Sequence, residues 1–383
     1  ACAKLEADGA GPMVAGKTGL VLDPYFSATK IGWILDTVPG ARKRAEAGKL
    51  AFGTVESFLI WRLTKGKRHI TDATNASRTS LYDLEAQDWD GELLRLFNIP
   101  RAILPEVVDC AGDLGVTDKS VLGKAIPITG AAGDQQAAAI GQACLSPGEM
   151  KSTYGTGAFM ILNTGGTRVT SHNRLLATTA WRLEGKSAFA LEGSVLSAGA
   201  TIQWLRDGLG LISRASEVEA LAASADPDAP VYLVPAFTGL GAPHWKPEAR
   251  GLITGLTRGA GRAEIARAAL ESTAFQTHDL LTAMRADGAQ TLTLKVDGGM
   301  VANNAFLQRL ADICDLEVVR PVNTETTAWG AAFLAGLGAG HFASITEAAS
   351  LWKADQRFAP AADPGWRTRH LAGWADALRR TTM

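Results

Sequence analysis

The chain has 383 residues, 46% apolar and 20% charged, with a formal net charge of -1. That length supports two domains with full cores, while the near-neutral charge and the lack of any concentrated Lys/Arg run argue against nucleic acid as a partner. No run reaches the apolar length of a membrane helix, and the four scattered cysteines, Cys2, Cys110, Cys144 and Cys314, make neither a disulfide framework nor a zinc motif and read as reduced thiols of a cytoplasmic protein.

At the start, ACAKLEADGAG resembles a helix interior and lacks both an initiating Met and the apolar core of a signal peptide. It predicts a chain that begins partway into a larger protein. Residues 11–18, GPMVAGKT, spell the phosphate-loop pattern G-x-x-x-x-G-K-[ST]. A working phosphate loop follows an apolar strand and opens a helix. Here charged and small residues precede it, and a strand-like Leu20-Val21-Leu22, broken by Pro24, follows. Both flanks argue that the match is accidental. An amphipathic helix is predicted from about Thr29 to Leu35, and a second apolar helical segment over Phe58–Leu63.

VLGKAIPITGAAGD (121–134) reads as a strand ending in a Gly-rich turn, and DQQAAAIGQACL as the helix after it, closing at Ser146-Pro147-Gly148. GEMKSTYGTGAFMILNTGG predicts a β-hairpin turning at Gly155-Thr156-Gly157. ALEGSVLSAGATIQWL predicts a helix, and VYLVPAFTGLGAPHW a strand running into a Gly/Pro loop. AEIARAALESTAFQTHDLLTAM, with no Pro or Gly, predicts a long helix. TLTLKVDGGMVANNAFLQRLADIC reads as strand, Gly-Gly turn and helix, and WGAAFLAGLGAG as a small-residue helix suited to close packing. The alternation of strands and helices argues for the α/β class, with a domain boundary near 142–148.

Gly133-Asp134-Gln135-Gln136, Tyr154-Gly155-Thr156-Gly157 and Asp297-Gly298-Gly299 share one form, a strand leading into a turn of small residues. Such turns let backbone N–H groups approach phosphate oxygens, and a helix N-terminus adds partial positive charge. Asp134, at the mouth of one of them, can orient a hydroxyl and accept its proton, or help hold Mg²⁺. Taken singly, Asp134 reads equally as a helix N-cap, Tyr25 as core, Gly199 and Gly299 as packing and turn residues, and Gln203 as a solvated helix residue. The six histidines show no metal or triad spacing.

The chain resembles the FGGY carbohydrate kinases over essentially its whole length. The resemblance is carried by LDPYFSATKIGWIL (22–35), TDATNASRT (71–79), GAAGDQQAAAIGQ (130–142), STYGTGAFM (152–160), LEGSVLSAGATIQWLRD (191–207), PAFTGLGAPHW (235–245), GLITGLTRG (251–259) and VDGGMVANN (296–304). It implies the actin/hexokinase-like ATPase fold, two ribonuclease-H-like domains facing a cleft, here 1–142 on the substrate side and 143–383 on the nucleotide side. It also implies ATP- and Mg²⁺-dependent phosphorylation of glycerol in a homodimer or homotetramer. Asp134 would be the general base and a water-mediated Mg²⁺ ligand. Asp134 and Gln135 would bind the polyol hydroxyls, with Tyr25 and Phe159 on its apolar side. Thr156, Gly199, Gln203, Gly299 and Asn303 would surround the nucleotide, the two glycines leaving room for base and phosphates. Lys17 becomes a surface charge on the approach to the polyol. A kinase for another polyol or sugar, such as xylulose or erythritol, is the alternative within the family.

The sequence also departs from the family. Members open with an Asp-x-Gly-Thr-Thr/Ser phosphate loop, and carry an Arg-Glu pair and a Trp that grip glycerol, within roughly a hundred further residues. None of these is found in this sequence, which predicts a first domain shortened at its N-terminus, with an exposed sheet edge, and a chain inactive by itself. A nucleotide hydrolase built on residues 11–18 and a non-catalytic binding protein are the competing classes. The Gly-Gly-x-Arg loop that some bacterial members use for fructose bisphosphate inhibition is replaced by Val121-Leu122-Gly123-Lys124, so that control is not expected.

Overall fold

A computed structural model describes residues 1–383. Its backbone is a seven-stranded sheet. In chain order the strands are β1 (Met150–Tyr154), β2 (Ala158–Gly165), β3 (Leu176–Leu183), β4 (Lys186–Val195), β5 (Leu294–Asp297), β6 (Val318–Pro321) and β7 (Ala354–Phe358). Their spatial order is β7-β6-β5-β1-β2-β4-β3, with β5 parallel to both β1 and β6 and every other pair antiparallel. The β1–β2 hairpin turns at residues 155–157, as its Gly-Thr-Gly predicts.

Six helices matter to the site: α1 (Asp134–Gly141), α2 (Gly199–Asp207), α3 (Arg262–Ala286), α4 (Asn304–Cys314), α5 (Thr326–Gly338) and α6 (Pro364–Thr381). Strand residues alternate between the two faces of the sheet. Cross-strand partners Lys151, Ile161 and Glu192 therefore share a face, and Ile161 packs on Ala139 of α1. Tyr154 points the other way, stacking edge-on against Phe306 of α4 at 5.2 Å and bonding Thr277 of α3 at 3.0 Å. Helix α5 then crosses α1 at very short range. A Cβ on Gly330 would lie 1.7 Å from the carbonyl oxygen of Ala137, so the small residues at 329–340 do serve close packing.

Residues 1–142 are assembled differently. Their strands make only two-stranded pieces: Ile70–Asp72 with Glu106–Val108, Tyr82–Asp83 with Asp88–Trp89, and Ala111–Val116 with Pro127–Gly130. Helices Cys2–Ala7, Ser27–Thr37 and Val55–Leu63 fall where the sequence placed helical segments, the second and third longer than expected.

Two expectations fail here. Leu20-Val21-Leu22 is not a strand: the chain meets β3 only at its start, where Ala177 N–H donates to the Gly19 carbonyl at 2.9 Å, and Leu20 is a fully buried anchor, clustered with Phe26 and Leu176. Residues 190–195 are strand β4 and only Gly199–Asp207 is helix. Leu191, Val195, Ala198 and Ile202 fall at helical spacing, yet β4 lies between β2 and β3 and is buried on both faces, which removes the alternation that marks a strand.

GPMVAGKT proves to be a helix in its own right, Gly11–Thr18. Pro12 sits in its first turn, and Gly19, at φ 72°, ends it in the left-handed conformation. No glycine loop exists there to cradle a phosphate. Lys17 is paired with Asp90 at 2.7 Å and Glu92 at 3.3 Å, so it ties this helix to the Asp83–Asp90 hairpin rather than standing free.

Candidate active site

The hairpin turn opens on a cavity of about 540 Å³. Thr156, Gly199, Gln203, Gly299 and Asn303, spread over 148 positions of sequence, all line it. Ile202, Val218, Leu270 and Met300 give it an apolar wall; Arg206, Ser216 and Glu219 add polar groups that sequence reasoning did not single out. An apolar slot with a few convergent polar groups suits a flat base carrying a charged tail.

Two backbone crossings shape this cavity. Gly298, at φ 92°, passes so near the end of β1 that a Cβ would lie 2.5 Å from the carbonyl oxygen of Tyr154. Gly199 meets the turn itself: its N–H donates to the Gly155 carbonyl at 2.9 Å, and a Cβ there would reach that oxygen at 2.5 Å. The position a Cβ would take at Gly199 is filled by the hairpin, while the Gly199 backbone still lines the cavity. At Gly299 a Cβ meets nothing within 4 Å. Thr156 is held by its carbonyl, which accepts from Ala198 and Ala200 at 2.9 and 3.0 Å, and its hydroxyl has no protein partner. Asn303 caps α4 through Oδ1, which accepts from Phe306 N–H at 2.8 Å, leaving its Nδ2 unpaired.

The four other candidates lie outside the cavity, Asp134 and Gln135 in the first turn of α1, Tyr25 within reach of the Asp134 charge and Phe159 in β2. Buried Asp72 holds Thr74, whose Oγ1 accepts from Gly133 N–H at 2.8 Å, fixing the residue before Asp134. Gly133, not Asp134, is the helix cap. The exposed Asp134 carboxylate accepts only from the N–H of Gln135, at 2.8 Å, and pairs with no cation. Tyr25 is 58% exposed, yet its hydroxyl end sits among charges. Desolvation raises its pKa, Glu192 and Asp134 add to the rise, and Arg78 opposes it. Phe159, half-buried, pairs across the sheet with Thr153 and Ser194, on the face that carries Lys151 and Glu192.

Lys151, Arg78 and Glu192 went unrecognised in the sequence. Arg78 pairs with Glu192 at 2.7 Å and lies over the Phe26 ring at 5.4 Å. Lys151 is fully buried, and burial holds its ammonium below its ordinary pKa against the pull of Asp297, Asp134 and Glu192. The available signal was a lone Lys at an inward position of GEMKSTYG, two residues before the Thr-Tyr of the hairpin.

No group of three His, Cys, Asp or Glu side chains clusters as a metal cage. That suits Mg²⁺ carried by phosphates, which keeps most of its waters and takes one or two carboxylates. Asp134, free of cationic partners, fits as such a carboxylate. No helix is long and apolar enough to cross a membrane.

Comparisons with known proteins give the family and the fold. The sequence matches the N-terminal domain of the FGGY family of carbohydrate kinases over residues 1–141 and the C-terminal domain over 150–339. It is 59% identical to a glycerol kinase of Rhodospirillum centenum over 380 residues, covering 99% of this chain and 76% of that protein. Identity to a glycerol kinase of Agrobacterium fabrum is 60% over 382 residues, again 99% of this chain and 77% of the relative. The crystal structure of Plasmodium falciparum glycerol kinase with ADP superposes with a TM-score of 0.94 at 36% identity, over 100% of this chain and 77% of that one. The fold is the actin/hexokinase-like ATPase fold.

Proposed function

The chain belongs to the FGGY family of carbohydrate kinases, and on that premise we propose that it serves ATP-dependent phosphorylation of glycerol to glycerol 3-phosphate. One observation carries the nucleotide half: five residues from separate turns and helices converge on a single cavity at the Gly155–Gly157 turn. The names of the relatives carry the substrate. Residues 1–142, joined by Phe159, supply the polyol side and the rest of 143–383 the nucleotide side. Action in the cytoplasm, where ATP is held and the four free cysteines stay reduced, is part of the same reading, as is assembly into a homodimer or homotetramer.

Tyr25 and Phe159 cover the carbon edges of glycerol while Asp134 and Gln135 bind its hydroxyls. Asp134 accepts the proton of the attacking hydroxyl as the oxygen bonds to the γ-phosphorus and the bond to ADP breaks. Thr156 and the turn amides hold the phosphates in line, so rate comes from positioning and charge stabilisation. Mg²⁺, when bound, neutralises charge between the phosphate oxygens. Asp134 would hold it through a water. The 383 residues contain no Asp-x-Gly-Thr segment, and this chain alone is expected to bind nucleotide without turning over glycerol.

The test is calorimetric titration with MgADP. Gly299→Val fills only open space in the fold and is expected to weaken binding by about tenfold or more, roughly 1.4 kcal/mol. Binding that ignores Gly299→Val overturns the nucleotide assignment. Equilibrium dialysis of labelled glycerol against xylulose, with MgADP present, tests the substrate: preference for xylulose would favour the sister activity.

A further inference from the structure

Lys151 stands at the centre of the sheet, in β1, on the face beneath the first turn of α1. It is 0% exposed, an unusual place for a lysine. Its Nζ donates to Oε1 of Gln135 and, at 2.9 Å, to Oγ1 of Thr153. An ammonium has three donors and no acceptor, so only the carbonyl end of the Gln135 amide can face it. The choice between the two amide orientations, open for most glutamines, is closed by chemistry here. The Nε2–H₂ end must point away, and no protein atom receives its protons.

We propose that Lys151 is a positioning residue: by holding Oε1 of Gln135, it presents the Nε2–H₂ of that side chain as a fixed donor to the polyol. Asp134 and Gln135 then differ in role although adjacent. Asp134 only accepts, and takes a hydroxyl proton. Gln135 only donates, and meets the oxygen of a hydroxyl. The pair reads a polyol by one acceptor and one donor, and a ligand lacking an oxygen lone pair at the second place leaves a donor unpaired. Asp297 and Glu192, on the same sheet face, favour the charged ammonium and oppose the burial that lowers its pKa. This inference rests on the reading of Gln135 as a polyol ligand.

The experiment uses the 383-residue chain labelled with ¹⁵N-glutamine, with side-chain relaxation read at Gln135, alongside dialysis of labelled glycerol in MgADP. In wild type the Gln135 amide is expected to be ordered on the nanosecond scale. Lys151→Met keeps the length and apolar stem of the side chain but removes its charge. It is expected to disorder that amide and weaken glycerol binding by roughly tenfold, leaving MgADP affinity unchanged. The double variant with Gln135→Ala is expected to bind glycerol no worse than Gln135→Ala alone, because Lys151 acts only through Gln135. Summed losses in the double variant, or an unchanged amide in Lys151→Met, overturn the proposal. If Lys151→Met does not fold, a freely rotating Gln135 amide in wild type overturns it without any variant. Wild type with an ordered Gln135 amide but no polyol binding overturns the functional reading and leaves the Lys151–Gln135 contact standing.

Discussion

In residues 143–383, seven strands pair in one sheet and helices cover both faces, so that Phe306, Tyr154 and Trp374 are 0 to 2% exposed. Residues 1–142 carry Tyr25, Asp134 and Gln135, but their strands pair only two by two. Val55, Phe58 and Leu59 of one helix and Trp33 and Ile34 of another stand 48 to 76% exposed. The two parts of the site are therefore supported in different ways. The nucleotide cavity is built from elements fixed on several sides. Among the polyol residues, Asp134 and Gln135 stand at the open end of α1, whose buried body packs on α5 and Ile161, and the segment before them is tied through Thr74 to Gly133, Ser77 to Thr178 at 2.9 Å, and Arg78 to Glu192.

The comparison can be broken most directly by truncating one aromatic on each side. Phe275 is 2% exposed and stacks on Trp374 at 5.2 Å; Phe275→Ala is expected to cost about 3–5 kcal/mol in urea unfolding. Phe58→Ala is expected to stay within about 0.5 kcal/mol. Equal losses would show that the helix Val55–Leu63 is buried in solution. The seam between the regions comes next. Gly330→Ala drives a methyl into the backbone of Ala137 and is expected to cost about 1–3 kcal/mol, or to split one unfolding transition into two. A variant as stable as wild type would mean that α5 does not hold the regions together.

His370 gives a pH handle on the second region alone. Burial first, then the nearby Arg267, Arg309 and Arg369, lower its pKa from 6.5 to about 4. Between those values the unfolded chain binds the proton and the folded one does not, so stability is full above pH 6.5 and falls as pH drops toward 4. The loss is expected to reach at most about 3 kcal/mol. His370→Gln is expected to flatten that slope in melts from pH 7 to 5, and an unchanged slope would assign it to other groups. The smallest effect belongs to Lys17. Its ion pairs are partly exposed, so Lys17→Ala is expected to cost about 1 kcal/mol or less. MgADP affinity should not move; a loss of nucleotide binding would revive the phosphate-loop reading.

Legibility followed the same division. The hairpin, the long helix α3 and the strand–turn–helix around Gly298 were readable because Gly-rich turns and uninterrupted helical runs are local signals. Strand β4 was misread because burial on both faces erased its alternation, and Leu20-Val21-Leu22 because nothing local says whether an apolar run will pair into a sheet or only bury a side chain. The five nucleotide candidates were nameable through family resemblance, but their convergence on one cavity was not.

The sequence by itself determined the α/β class, the turns of small residues and the identity of Asp134 and Gln135 as adjacent polar side chains, since these depend on residue type and spacing. Only the tertiary structure decided that residues 11–18 are a capped helix, that Gly199 yields to a carbonyl while Gly299 faces open space, and that Lys151 lies beneath Gln135. Those facts depend on which strands and helices lie beside one another. A chain 383 residues long brings together positions that no local pattern relates.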